Sequence, residues 1–483
     1  MDGTGRRLAL RTIIKLATYR SVRYGRAMST RKASDGEDPL IESREDLLSV
    51  FVGGEKPKDR WRIGTEHEKF VFFEDSHRAP SYEERGGIHA LLIGLTKYGW
   101  RPVYEGENII ALEGEDGNVS LEPAGQFELS GAPLDNLHQT CAETGRHLEQ
   151  VKAIGEKLGI GYLGLGLWPD KRRDELPIMP KGRYDIMLRH MPRVGTMGLD
   201  MMLRTCTVQT NLDYASEADM VRKFRLSLAL QPLATALFAN SPFLEGKPNG
   251  FLSYRSHIWT DTDPHRTGML PFVFEDGFGY ERYADYMLDV PMYFAFRDGY
   301  VDAAGLSFRD FMDGKLPVLP GERPTIGDWQ DHLSTAFPEV RLKSFLEMRG
   351  ADGGPHDRIC ALPAFWVGLL YDDGALDAAW DLVKHWTIED HHRIRADVPK
   401  LGLRAAGPRG RSLLDLAKIV LDIAADGLKA RARLNGAGDD ERGFLTPLRE
   451  IVASGKTPAE RLLDLYHGAW GGDISHVYRD ARF

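Results

Sequence analysis

From about residue 60 the chain alternates short apolar stretches with longer runs of helical periodicity. The segments 62–73, 107–114, 119–130, 160–167, 203–213 and 343–349 are short, and some are separated by Gly or Asp-Gly, so they read as strands. Glu115-Asp116-Gly117-Asn118 has the composition of a hairpin turn joining two of them. Over 134–158, Leu134, Leu137, Cys141, Leu148, Val151 and Leu158 keep helical spacing before Gly159, which puts Cys141 on the buried stripe. Ser216-Glu217-Ala218-Asp219 caps a helix running towards Pro232, and Thr457-Pro458-Ala459-Glu460 opens another that should stop near Gly468. Strands and helices follow no strict alternation. The fold class expected is therefore α+β with a largely antiparallel sheet, and the chemistry should lie on a sheet face.

Composition narrows the choice of chemistry. A formal net charge of −9 over 483 residues supplies no basic footprint for nucleic acid, and the apolar runs fall short of a bilayer-spanning segment, so small-molecule chemistry is the better expectation. The cysteines, Cys141, Cys206 and Cys360, form no C-x-x-C pair, which suggests a reducing, cytoplasmic setting. The first 33 residues carry nine basic side chains against the single acid Asp2. Residues 1–27 read either as an organellar targeting segment or as sequence upstream of a start at Met28, leaving 28–483 as one domain.

The most informative segment is Arg62-Ile63-Gly64-Thr65-Glu66-His67-Glu68-Lys69-Phe70. On a strand, Glu66 and Glu68 project from one face, an unfavourable pairing unless a cation compensates it; the alternative is an edge strand whose acids face water. The arrangement recurs at Gln126 and Glu128 opposite Phe127 and Leu129, at Glu347 and Arg349, and with amides at Gln209 and Asn211. Four such strands make a wall of hard donors suited to magnesium and phosphate rather than zinc. The glycines of Gly161-Tyr162-Leu163-Gly164-Leu165-Gly166 lack dinucleotide-site spacing and read as packing positions, and no P-loop or nucleophile elbow occurs. His391-His392 reads as solvated surface. Arg255, among aromatic and hydroxyl groups before Trp259, either clamps a carboxylate or is a surface arginine beside a core tryptophan.

At these segments, and in runs such as Glu122 to Gly131, Met179 to Arg189, Gly198 to Leu212, Ser256 to Phe272 and Phe345 to Asp373, the sequence resembles the plant and proteobacterial type of glutamate–cysteine ligase, from about residue 40 to 475. The resemblance implies a glutamine-synthetase-like fold, a curved antiparallel sheet flanked by helices, whose glutamates hold Mg2+ between ATP and L-glutamate. It further implies that Glu66, Glu68, Glu128 and Glu347, and with them Glu122, are metal ligands or their neighbours. Gln209 then stands at the metal and nucleotide site, Arg349 approaches the transferred phosphoryl group, Glu68 shares in catalysis, and Arg255 and Trp259 help form the glutamate pocket. The expected reaction joins the γ-carboxylate of L-glutamate to the amine of L-cysteine through a γ-glutamyl phosphate, by a monomer or homodimer. Rival readings are a related ligase using another amine, a glycoside hydrolase with paired acids, and a binding protein without turnover. Plant members carry regulatory disulfides; one pair corresponds to Ala303 and Val318 and is lost here, and the other to Cys141 and Cys360, expected to be buried and unpaired.

Overall fold

In the computed structural model, which describes residues 38–115 and 117–483, nine strands form one open sheet with every neighbouring pair antiparallel. They are β1 (Ile63–Phe73), β2 (Arg101–Glu105), β3 (Asn108–Gly114), β4 (Gly117–Leu121), β5 (Phe127–Ser130), β6 (Ile160–Leu163), β7 (Thr207–Leu212), β8 (Val340–Leu342) and β9 (Leu346–Asp352). Their order is β8-β9-β7-β1-β5-β4-β3-β2, with β6 paired to Phe70–Phe73 of β1. The helices include α1 (Leu137–Leu158), α2 (Gly182–Val194), α3 (Glu217–Leu237), α4 (Tyr254–Ile258), α5 (His356–Leu370), α6 (Ile388–Leu401) and α7 (Pro458–His467). The α+β expectation therefore holds, and the basic segment 1–27 lies outside the described residues.

Alternation along β1 sorts its side chains into two layers. Ile63, Thr65, His67 and Lys69 face the helices, where His147 of α1 lies edge-on to His67 and stacks on Phe127 of β5. α1 and α5 pack on this side of the sheet. Glu66 and Glu68 necessarily point the other way.

Several expectations change in detail. The segment 119–130 is two strands, because Gly125 adopts φ +82° in a turn closed by Glu122 N donating to Gln126 O. Gln126 thus leaves the strand; its amide accepts from Ala124 N and donates to the carbonyls of Met202 and Thr205. β2 was not anticipated, since Pro102 breaks its pattern, a substitution an edge strand tolerates. α3 continues past Pro232 to Leu237 because every side chain from Leu226 onward is buried, so packing overrides the proline. α7 starts with the expected reciprocal cap between Thr457 and Glu460 and ends at Gly468. The glycines of 161–166 are packing positions, with Gly161 against the Phe72 ring and Gly166 against Asp352.

Two readings are corrected. His391 is buried, stacked 4.3 Å from Phe274, since the first turn of α6 packs inward. Cys141 and Cys360 form a disulfide joining α1 to α5, with Cα atoms 5.3 Å apart, and Cys141 is half-buried rather than part of an apolar stripe. Cys206 alone is a free, buried thiol.

A buried imidazole gives the fold a testable acid sensitivity. His332 donates from Nε2 to Met287 O at 2.7 Å and stacks on Phe308, and burial lowers its pKa to about 3. The unfolded chain takes up this proton below about pH 6.5 and the folded chain does not, so the stability it confers is lost as pH falls from there towards 3. Each such proton contributes about 1.4 kcal/mol per pH unit. Urea unfolding of His332→Gln between pH 6.5 and 4 is expected to show a shallower decline than the parent chain; equal slopes would remove His332 from the account.

Candidate active site

β1 runs through the middle of the polar face. Glu66 stands opposite Gln209 on β7 and Ser130 on β5, and Glu68 opposite Glu128 on β5. Glu122 joins them from the turn after β4. Local hydrogen bonds fix three of these side chains: Glu66 accepts from Asn211 Nδ2 at 2.8 Å, Glu68 from Thr207 N at 2.8 Å, and Glu128 from Ser120 Oγ at 2.6 Å.

Their electrostatics are unfavourable as they stand. Burial first, then Glu347 and Glu128, pushes Glu66 up to about 7. Glu68 is raised well above the carboxylate range by burial, Glu122 and Glu128. Glu128 is raised by burial and Glu122, and Glu122 by burial despite Lys181, Arg183 and Arg349. Four acids with raised pKa values around one opening form a site that gains free energy when a cation enters it.

Glu347 behaves oppositely. Although burial works against its charge, Arg341, Lys343 and Arg349 hold it far below the usual carboxylate range. Its oxygens lie 2.5 Å from Arg341 Nε, 3.6 Å from Lys343 Nζ and 3.1 Å from Arg349 Nη1. The antiparallel register explains this, since Arg341 of β8 is its direct partner. The structure brings Glu66, Glu68, Glu122, Glu128, Gln209, Arg255, Trp259 and Arg349 around one open cleft, and Glu347 does not line it.

Arg349 is anchored from two sides, by Glu347 and by Gln209 Oε1, which accepts from Nη1 at 2.5 Å. Arg255, on the short helix α4, is buried and donates from Nη2 to Arg349 O at 3.2 Å. The loop that carries it is held by Asp352 at the end of β9, which accepts from Asn240 N, Ser241 Oγ and Ser253 Oγ at 2.7–2.8 Å. Trp259 packs against Phe337, and the guanidinium of Arg349 lies over the same Phe337 ring. Trp259 Nε1 is shielded from solvent and has no acceptor among the described residues, a donor left for a ligand.

Sequence reasoning missed the opposite wall. Arg183 and Tyr184 of α2, with Met202 and Thr205, line it, while Thr207 of β7 lines the sheet side, and Lys181 donates to Leu121 O at 2.8 Å beneath the cleft. The run Lys181-Gly182-Arg183-Tyr184 lay within a segment of resemblance but has no periodicity that separates a binding cation from a surface one.

The donor set fits a hard divalent cation. Every carboxylate of the cleft offers oxygen, no His or Cys lines it among the described residues, and burial and mutual repulsion raise the pKa values of its acids despite the arginines beside them. Among the described residues no three of these acids bring donor atoms within 4.8 Å of one another. Magnesium does not require a closer cluster, since it is commonly held by one or two carboxylates and completed by water and substrate phosphates.

Comparison with known proteins shows the family. Residues 62–480 match the model of the family described as glutamate-cysteine ligase family 2 (GCS2). The chain is 58% identical over 453 residues to the chloroplastic glutamate–cysteine ligase of Arabidopsis thaliana, covering 93% of this chain and 84% of that one. It is 56% identical over 453 residues to the chloroplastic glutamate–cysteine ligase B of Oryza sativa subsp. japonica, covering 93% and 89%. Among solved structures, the glutamate–cysteine ligase of Francisella tularensis in complex with AMP shares the fold at a TM-score of 0.52 and 13% identity, over 88% of each chain. A family match spanning the whole sheet and both walls of the cleft, joined by relatives at such identity, places this chain in glutamate–cysteine ligase family 2.

Proposed function

We infer that the chain joins the γ-carboxylate of L-glutamate to the amine of L-cysteine at the expense of ATP, giving γ-glutamylcysteine for glutathione synthesis. The observation that carries this reading is the wall of raised-pKa carboxylates lining one cleft together with Arg349, in a chain of this family. An amide does not form from a carboxylate and an amine at neutral pH without activation. A γ-carboxylate oxygen of glutamate therefore bonds to the terminal phosphorus of ATP, releasing ADP. The amine nitrogen of cysteine then bonds to the acyl carbon, the carbon–oxygen bond breaks, phosphate leaves with that oxygen, and the nitrogen loses a proton.

Magnesium, when bound, would neutralise the charge of the phosphates. One or two of Glu66, Glu68, Glu128 and Glu122 would hold it, with water and substrate phosphates filling the other positions. Arg349, oriented by Gln209 and Glu347, meets the negative oxygens of the phosphoryl group in transit. Arg255 pairs with a carboxylate of glutamate, and Trp259 offers Nε1 and an apolar wall that excludes water. No nucleophilic side chain is needed, because the protein positions and stabilises charge.

The fate of one oxygen tests this. Glutamate labelled with heavy oxygen at the γ-carboxylate is expected to give one labelled oxygen in inorganic phosphate per γ-glutamylcysteine formed, with cysteine preferred among the amines. Product accompanied by unlabelled phosphate would rule out the acyl phosphate; labelled phosphate with a different preferred amine would keep the mechanism and change the substrate. The relatives named chloroplastic favour an organellar setting, and the expected cytoplasmic one draws no support from them.

A further inference from the structure

Outside the cleft, the described residues hold one group of metal-ligating side chains close enough to share an ion. Cys141 of α1 with His356 and Cys360 of α5 place their ligand atoms within 4.8 Å of one another. His356 Nε2 lies 3.7 Å from Cys141 Sγ and 3.6 Å from Cys360 Sγ. His356 and Cys360 are one helical turn apart and so share a face of α5, while Cys141 arrives from the neighbouring helix. Cys360 is buried, Cys141 half-buried and His356 exposed, which gives a fixed floor and an open side.

Tetrahedral zinc, with Zn–S near 2.3 Å and Zn–N near 2.0–2.1 Å, needs sulfur-to-nitrogen separations of about 3.6 Å. In the disulfide the imidazole stands at that separation from both sulfurs, and reduction frees the sulfurs to part from bonding distance to the about 3.8 Å that two thiolates on one zinc need. We propose that, once the Cys141–Cys360 disulfide is reduced, Cys141, Cys360 and His356 bind a soft divalent cation of the zinc class, leaving the fourth position to solvent. A thiol or phosphine reductant supplies two electrons and is itself oxidised, and the sulfur–sulfur bond becomes two thiols. Cation binding then releases both thiol protons to solvent, and neutral His356 donates the Nε2 lone pair in place of its 3.4 Å contact with Cys141 O. Each sulfur is either bonded to the other or to the metal, so oxidation and metal loading exclude one another. The cluster lies in the helix layer behind the sheet, away from the carboxylates, and the ligase chemistry does not use it.

The test uses untagged full-length protein, reduced with a phosphine, freed of reductant and titrated with Co2+ in excess Mg2+. The expected result is one equivalent of cobalt giving an intense thiolate-to-cobalt charge-transfer band, which zinc then displaces; oxygen donors in the cleft give no such band. The band is expected to be absent from the oxidised protein and from Cys141→Ser/Cys360→Ser, which keeps Cys206. His356→Ala, checked for folding by circular dichroism, is expected to bind at least about tenfold more weakly. A reduced parent chain that gives no band or unfolds overturns the proposal. So does a band of unchanged affinity in the double variant or in His356→Ala.

Discussion

Replacing Arg349 with methionine is expected to lower kcat by about three orders of magnitude while leaving the unfolding temperature close to that of the parent chain. The size follows from the place of the guanidinium: a single arginine that meets a phosphoryl group in transit accounts for about 10³-fold or more in comparable reactions. Removing one partner of a buried ion pair ordinarily destabilises a protein, because the other charge is left alone. Here Glu347 keeps Arg341 at 2.5 Å and Lys343 at 3.6 Å, so its charge remains compensated, and the methionine fills the volume. Steady-state kinetics at saturating ATP and glutamate, beside thermal unfolding, make the measurement. A loss of kcat under tenfold, or a change confined to KM, would return Arg349 to the role of a strut between Glu347 and Gln209.

Glu66→Gln and Glu68→Gln are each expected to cost about a hundredfold in magnesium-dependent turnover, on the order of 2.7 kcal/mol of transition-state stabilisation, and neither should lower stability. Glutamine accepts the same hydrogen bonds, from Asn211 Nδ2 at position 66 and Thr207 N at position 68. It also removes one like charge from a group whose members raise one another's pKa. The metal-free variants should therefore unfold at the same or a higher temperature, and should gain less from added Mg2+ than the parent chain does. Turnover unchanged at saturating magnesium would show that the residue only faces water.

What was legible in the sequence was whatever alternation and capping make local. Glu66, Glu68, Glu128 and Gln209 fall on one face because side chains on strands have period two, and pairing of β1 with β5 and β7 then brings them together. The caps at Ser216 and Thr457 were equally local. The rest depended on partners far along the chain. Glu347 shares the alternation, yet the cations on β8 and beside it draw it out of the cleft, and only the register shows that. The pairing of Cys141 with Cys360 spans 219 positions and follows from α1 lying against α5. His391 sits beside acids and another histidine in sequence, but its neighbour in space is Phe274.

Strand β1 is paired along Ile63–Lys69 with β5 and β7 and along Phe70–Phe73 with β6, so its numbering acts as the reading frame of the whole fold. One codon inserted or deleted within it would turn His67 and Lys69 towards the cleft and drive the glutamates into the apolar helix layer, at every position downstream at once. Substitutions there are graded in effect, whereas length changes are all or nothing. Variation in length, whether by evolution or by an engineer seeking a site for a tag or a fused domain, belongs instead in the connection from Gly114 to Gly117, where an extra residue leaves the register of β1 with β5 and β7 untouched.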